Sequence, residues 1–186
     1  YVEALLGLAQ NAHVCSFFFF SKIISSSRYT LVSCSKHVYL QKNSNIIALN
    51  NIPDYLNMKL IQDALQVFVS DHGYSIDKLL YNFISKDEML ALNIKHLNHT
   101  THTDIISFDY TLKRALRAEF FVSAWAVSCS AAENSQTIEN EMLRVLSHGV
   151  LHCMGFNDKC DSDKSLMRLE ENKFIKMFHV KPTSHV

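Results

Sequence analysis

The stretch LSHGVLHCMGFND, residues 146 to 158, holds two histidines four apart, a glycine three further on and an aspartate three beyond that. On a helix, residues i and i+4 lie one above the other, so the imidazoles of His148 and His152 project from one face and can reach one ion. Zinc in a catalytic site takes three protein ligands and keeps a position for water, so a third donor is required. A chain reversal at Gly155 brings Asp158 back toward the histidine face. Cys160 and Asp161 are rivals for that place. The expectation is one Zn2+ per chain on His148, His152 and Asp158, and the same three side chains are the candidate catalytic residues. A cation so held acts on a phosphoryl or carbonyl oxygen and lowers the pKa of bound water toward about 7.

Two histidines at this spacing, taken alone, suit a polar helix face as well as a metal site. The glycine and the carboxylate, at the spacing of the metzincin zinc pattern, favour the metal. In zinc peptidases the residue after the first histidine is a glutamate that acts as general base. Here it is Gly149, so the ordinary peptidase mechanism lacks its base. Cys153 falls on the core side of the same helix, where cysteine behaves as a small hydrophobe.

These side chains need elements to position them. Pro53 suits a first helical turn, and Leu56, Leu60, Ala64, Leu65 and Phe68 recur at helical spacing until Gly73. KLLYNFIS, residues 78 to 85, is short and rich in aromatic and branched residues, which predicts a strand. Ser85 and Glu88 form a capping box, opening a helix through Met89, Leu90, Ile94 and Leu97. TDIISFDY, residues 103 to 110, sets Ile105, Ser107 and Asp109 against Ile106, Phe108 and Tyr110, the alternation of a half-buried strand. LKRALRA, residues 112 to 118, reads as a basic connector; Lys113, Arg114 and Arg117 suit a solvated link better than a contact to backbone phosphates, the other reading they allow. EFFVSAWAV, residues 119 to 127, predicts a further strand. Residues 137 to 154 predict the histidine helix, closed at Gly155 by a left-handed turn, and residues 162 to 178 a last amphipathic helix. Helices interleaved with about three strands, without regular βαβ alternation, imply an α+β domain: a small mixed sheet covered by helices, the metal site lying on a helix and the turn after it.

With 186 residues, 48% of them hydrophobic, the chain is long enough for one ordinary domain with its own core. Residues 46 to 180 are assigned to that domain. Residues 1 to 45, rich in Ser and Phe, read as an extension of unknown status, either loosely attached or upstream of the true start, and residues 181 to 186 as a tail. Eighteen basic and eighteen acidic side chains cancel, which removes the large positive excess of a typical nucleic-acid binder and gives no reason to expect DNA. Five cysteines without a C-x-x-C pair point to a reducing compartment rather than a disulfide framework. CSFFFF, residues 15 to 20, is greasy but too short to cross a membrane.

At HGVLHCMGFND the sequence resembles the YbeY family, the endoribonuclease or rRNA maturation factor family, whose mark is H-G-x-L-H-x-x-G-[YF] followed by a third metal ligand. Members commonly end the motif with histidine; Asp158 stands here, as in one branch. NIKHLNHTTHTDIISFDY, residues 93 to 110, is similar to a second family signature, in which an L-N pair leads through a loop into T-D-[VI]-[LI]-S-F. AEFFVS, residues 118 to 123, is similar to G-[DE]-I-x-[IV]-S, with Glu119 as the acidic residue and Ala118 in place of glycine. Many members carry an arginine in the loop that here reads HTTH. Its His99 and His102 could bind phosphate or metal, or be ordinary loop residues. Trp125 reads as packing or as a base-stacking surface. The resemblance, over about residues 50 to 180, implies a cytoplasmic, zinc-dependent, single-strand-specific endoribonuclease in small-subunit rRNA maturation and ribosome quality control. Its implied partners are ribosomal RNA, the small ribosomal subunit and proteins of ribosome assembly, with no membrane. The rival readings are a metal-dependent hydrolase of another substrate such as a peptide, and a non-catalytic assembly factor with structural zinc.

Overall fold

The computed structural model describes residues 25–26, 29–34, 37–42, 46–97 and 100–179. The phenylalanine run at 17–20, His99 and residues 181–186 lie outside them. The chain forms two units, Tyr1–Asn43 and Ser44–Val186. In the first, β1 (Ser25–Ser26), β2 (Tyr29–Cys34) and β3 (His37–Lys42) make an antiparallel sheet in that order, with Leu31 opposite Leu40. YTLVSC and HVYLQK are rich in branched and aromatic residues, which suit a pleated strand even without strict alternation.

The second unit is α+β. A four-stranded mixed sheet is built from β4 (Ile46–Asn50), β5 (Ser75–Ile84), β6 (Ile105–Asp109) and β7 (Ala115–Ser123) in the order β4-β5-β7-β6. β4 and β5 are parallel, as are β5 and β7, while β6 runs antiparallel along the outside of β7. Among the described residues five helices accompany the sheet: α1 (Met58–Asp71), α2 (Lys86–Leu97), α3 (Ala124–Glu133), α4 (Ile138–Cys153) and α5 (Asp161–His179). No described helix is long and apolar enough to cross a membrane.

Several boundaries differ from the sequence expectation. Pro53 lies in a turn before α1, accepting from the Leu56 N–H, and Asn57 caps the helix through its side-chain oxygen, 3.1 Å from the Leu60 nitrogen. Leu60 is exposed, and Ile61 takes the core position beside Ala64, Leu65, Phe68 and Val69. β7 begins inside the segment read as a connector, and EFFVSAWAV is half strand and half helix. Ser123 ends β7 and caps α3, its hydroxyl accepting from Ala126 N–H at 3.3 Å, so the apolar run continues across a change of secondary structure. The Ser85–Glu88 capping box is present: Glu88 accepts from the Ser85 N–H at 2.8 Å, and Ser85 Oγ accepts from the Glu88 N–H at 3.3 Å.

α4 crosses the sheet at its centre. Tyr81 of β5 stacks on Phe120 of β7 with ring centroids 4.6 Å apart, and the Tyr81 hydroxyl donates to the Leu146 carbonyl of α4 at 3.1 Å. A second hydroxyl, that of Tyr74, donates to the Met154 carbonyl at 3.0 Å and pins the other end of the helix. Met142, Leu146, Val150 and Leu151 are fully buried between. Burying each contributes roughly 1.5–3 kcal/mol, which fixes the azimuth of the helix and therefore of its histidines.

Candidate metal centre

Thr137 caps α4 by accepting from the Asn140 N–H, and the helix ends at Met154, after which Gly155 turns the chain with φ +92°. Such a left-handed residue at a helix end is the conformation glycine adopts without a Cβ penalty. The turn brings Asp158 over the face that carries the two histidines. His148 Nε2 and His152 Nε2 are 2.9 Å apart, and Asp158 Oδ2 lies 3.9 Å from the first and 3.8 Å from the second. A point equidistant from these three atoms lies about 2.1 Å from each, the bond length that a zinc-sized cation makes to imidazole nitrogen or carboxylate oxygen. Among the described residues this is the one group of three or more His, Cys, Asp or Glu side chains whose donors could hold a metal. Cys160, the rival, instead lies 3.0 Å from Ser162 Oγ, and Asp161 opens α5.

The far side of each ring is tied to an acceptor. His148 Nδ1 is 2.9 Å from Glu171 Oε1, and His152 Nδ1 is 3.0 Å from the Phe156 carbonyl oxygen. A carboxylate and a carbonyl can only accept, so each Nδ1 carries the hydrogen and each Nε2 turns a lone pair inward. Two lone pairs at this separation repel unless a proton or a metal cation lies between them. Carboxylate behind imidazole behind metal is the recurrent arrangement by which proteins fix ligand orientation and basicity.

Glu171, which backs the His148 ring, is the member of this candidate site that sequence reasoning did not find. Its side chain is only 5% exposed, and Arg144 Nη1 at 3.0 Å and Arg168 Nη1 at 3.4 Å neutralise it. Burial works to raise its pKa, but the hydrogen bonds from His148 and Arg144 and the nearby positive charges prevail, and the pKa ends below the ordinary value. His148 shows the converse. Burial opposes its protonation, and the Glu171 hydrogen bond, with the charges of Glu171, Asp104 and Asp158, more than offsets this and raises its pKa. A signal for Glu171 existed: it shares the inward stripe of α5 with Met167 and Phe174, positions where a lone carboxylate would be costly.

Gly149 has a packing reason. A Cβ built there would lie 2.8 Å from Ile105 Cδ1 and 2.9 Å from Phe120 Cε1, so α4 meets the sheet at this residue and a glutamate has no room. Cys153 is buried as expected, and burial, followed by the charge of Asp109, pushes its thiol up to about 12.

Lys113 and Arg114 lie on the β6–β7 hairpin and Arg117 near the start of β7. Arg117 Nε is 3.2 Å from Asp77, and Arg114 reaches the Gly73 carbonyl at 3.4 Å and sits over the Tyr74 ring. Lys113 occupies the turn itself with φ +57°.

Fold and site together define an α+β protein with a histidine-histidine-aspartate donor group on a helix and its closing turn. The model of the family described as endoribonuclease YbeY matches residues 41–179, and the chain belongs to that family. A curated relative from Flavobacterium johnsoniae, named endoribonuclease YbeY, is 38% identical over 124 residues, covering 67% of this chain and 89% of its own. One of the same name from Christiangramia forsetii is 36% identical over 138 residues, covering 74% and 92%. The solution structure of TM1509 from Thermotoga maritima shares the fold, with a TM-score of 0.55 at 19% identity over 75% of this chain and 98% of that one.

Proposed function

We propose that this protein is a zinc-dependent endoribonuclease that cleaves single-stranded RNA in the maturation of small-subunit ribosomal RNA and in ribosome quality control, in the reducing cytoplasm. The observation that carries this reading is the convergence of His148 Nε2, His152 Nε2 and Asp158 Oδ2, with both Nδ1 atoms tied back. Relatives named as endoribonucleases supply the substrate class. His148, His152 and Asp158 would hold the ion and are the catalytic residues of the proposal. Bound there, zinc supplies Lewis acidity toward a phosphoryl oxygen and water. The chain does the rest: Glu171 and the Phe156 carbonyl hold both imidazoles in the coordinating tautomer, and Asp158, about half exposed, leaves the group open to solvent. Phosphate contacts on the β6–β7 hairpin would rest on Lys113 first, because Arg114 and Arg117 already have protein partners.

The peptidase reading is weakened by Gly149, whose surroundings leave no room for the general-base glutamate. A purely structural zinc normally has four protein ligands, whereas the group among the described residues has three. The test is incubation of an rRNA precursor with wild type beside His152→Ala, together with metal analysis of His148→Ala. Wild type should cleave and carry one zinc per chain, His152→Ala should not cleave, and His148→Ala should lose stoichiometric zinc. Full zinc content in His148→Ala, or equal cleavage by both proteins, would refute the proposal.

A further inference from the structure

A small pocket of about 330 Å³ is lined by His102, Thr103, Asp104, Trp125, Ser130 and Glu133 among others. It adjoins the histidine helix: Asp104 in its lining immediately precedes Ile105, whose Cδ1 would lie 2.8 Å from a Cβ at Gly149, the residue after His148. Trp125 projects from the first turn of α3 and is 40% exposed, in a chain whose other large aromatic side chains include fully buried Tyr81, Phe120 and Phe174. Lys86 Nζ stands 3.9 Å from the centroid of the indole ring, and the His102 ring meets it edge-on at 4.8 Å between centroids. Trp125 is thus left open beneath a lysine at the wall of this pocket.

We propose that Trp125, with Lys86 and His102, is a base-stacking platform that holds an unpaired nucleobase of the RNA strand next to the metal centre. This rests on the nuclease reading above and names a substrate contact within it. The pocket favours a base over a phosphate, because Asp104 and Glu133 in its lining repel an anion and accept hydrogen bonds from ring and exocyclic N–H groups. Lys86 does not block the platform. An exposed cation–π contact is worth roughly 2- to 5-fold, whereas stacking a base on an aromatic ring is worth about 5- to 150-fold, so the base displaces the ammonium. The displaced Lys86 is then free to meet the backbone phosphate of the stacked nucleotide. Duplex RNA has no unstacked base to offer, so the platform selects single strands.

Trp125 is the single tryptophan of the chain, so its fluorescence reports on the platform alone. The experiment titrates a fluorescein-labelled single-stranded oligoribonucleotide into the zinc-loaded full chain, following label anisotropy and indole emission together. Emission should be quenched in step with anisotropy. Trp125→Ala should bind about 5- to 100-fold more weakly and raise KM with kcat kept, and Trp125→Phe should recover most of the loss. Binding by anisotropy without quenching, or equal affinity of Trp125→Ala and wild type, overturns the platform and leaves the nuclease reading standing. Absence of RNA binding by the wild type overturns both.

Discussion

At the scale of single residues, the proposed metal site rests on groups outside its three donors. Glu171 holds the His148 ring through Nδ1 while Arg144 and Arg168 keep its carboxylate charged. Glu171→Gln preserves shape but weakens the orienting bond, and zinc affinity should fall about 10- to 100-fold; a competition titration against a chromophoric chelator measures it, and unchanged affinity would show that the contact is incidental. Gly149 makes a second test. Alanine raises helix propensity by about 1 kcal/mol, yet its methyl would press on Ile105 and on the fully buried Phe120 ring. The crowding should prevail, with Gly149→Ala less stable by roughly 1–3 kcal/mol in chemical denaturation. The convergence of His148, His152 and Asp158 was legible in the sequence because i,i+4 spacing and a glycine turn map directly onto geometry. Glu171 was not, since its meeting with His148 is a product of the tertiary packing of α4 on α5.

At the scale of elements, the sequence was readable where an element carries its own punctuation. Ser85 and Glu88 announce α2, and Gly155 announces the end of α4, because caps are local chemistry. β4 went unread, since an isolated IIAL run has no period of its own and becomes a strand only by pairing with β5. α3 was hidden because AWAV continues the apolar run of β7, and only the Ser123 cap separates them. The capping box yields a pH prediction. The hydrogen bonds from Ser85 lower the Glu88 pKa below its ordinary value of 4.5, a little opposed by burial. A carboxylate depressed on folding adds stability above its unfolded pKa and loses it as pH falls through the folded value. The gap in melting temperature between wild type and Glu88→Gln should therefore be present at neutral pH and close in acid. A gap that stays constant with pH would mean that the Glu88 charge contributes nothing.

At the scale of the whole molecule, the second unit sets β7, a late strand, between β5 and β6, so the centre of the sheet is complete only after the chain has passed α2 and β6. The α+β class was legible from helices and strands without regular alternation, but the strand order was not, because parallel pairing between distant segments leaves no local mark. All three donors, by contrast, fall within residues 148 to 158. An ion bridging so short a span closes only a small loop, and the denatured chain keeps the same histidines and aspartate within reach of one another. Residual capture by the denatured chain subtracts from the stabilisation that mass action would otherwise confer. Zinc should then raise the melting temperature by less than its affinity for the native protein implies, and the metal-free chain should still melt cooperatively in calorimetry. A chain that behaves so would be the reverse of a zinc finger: the scaffold would shape the seat for the proposed ion, and the ion would not be needed to shape the scaffold.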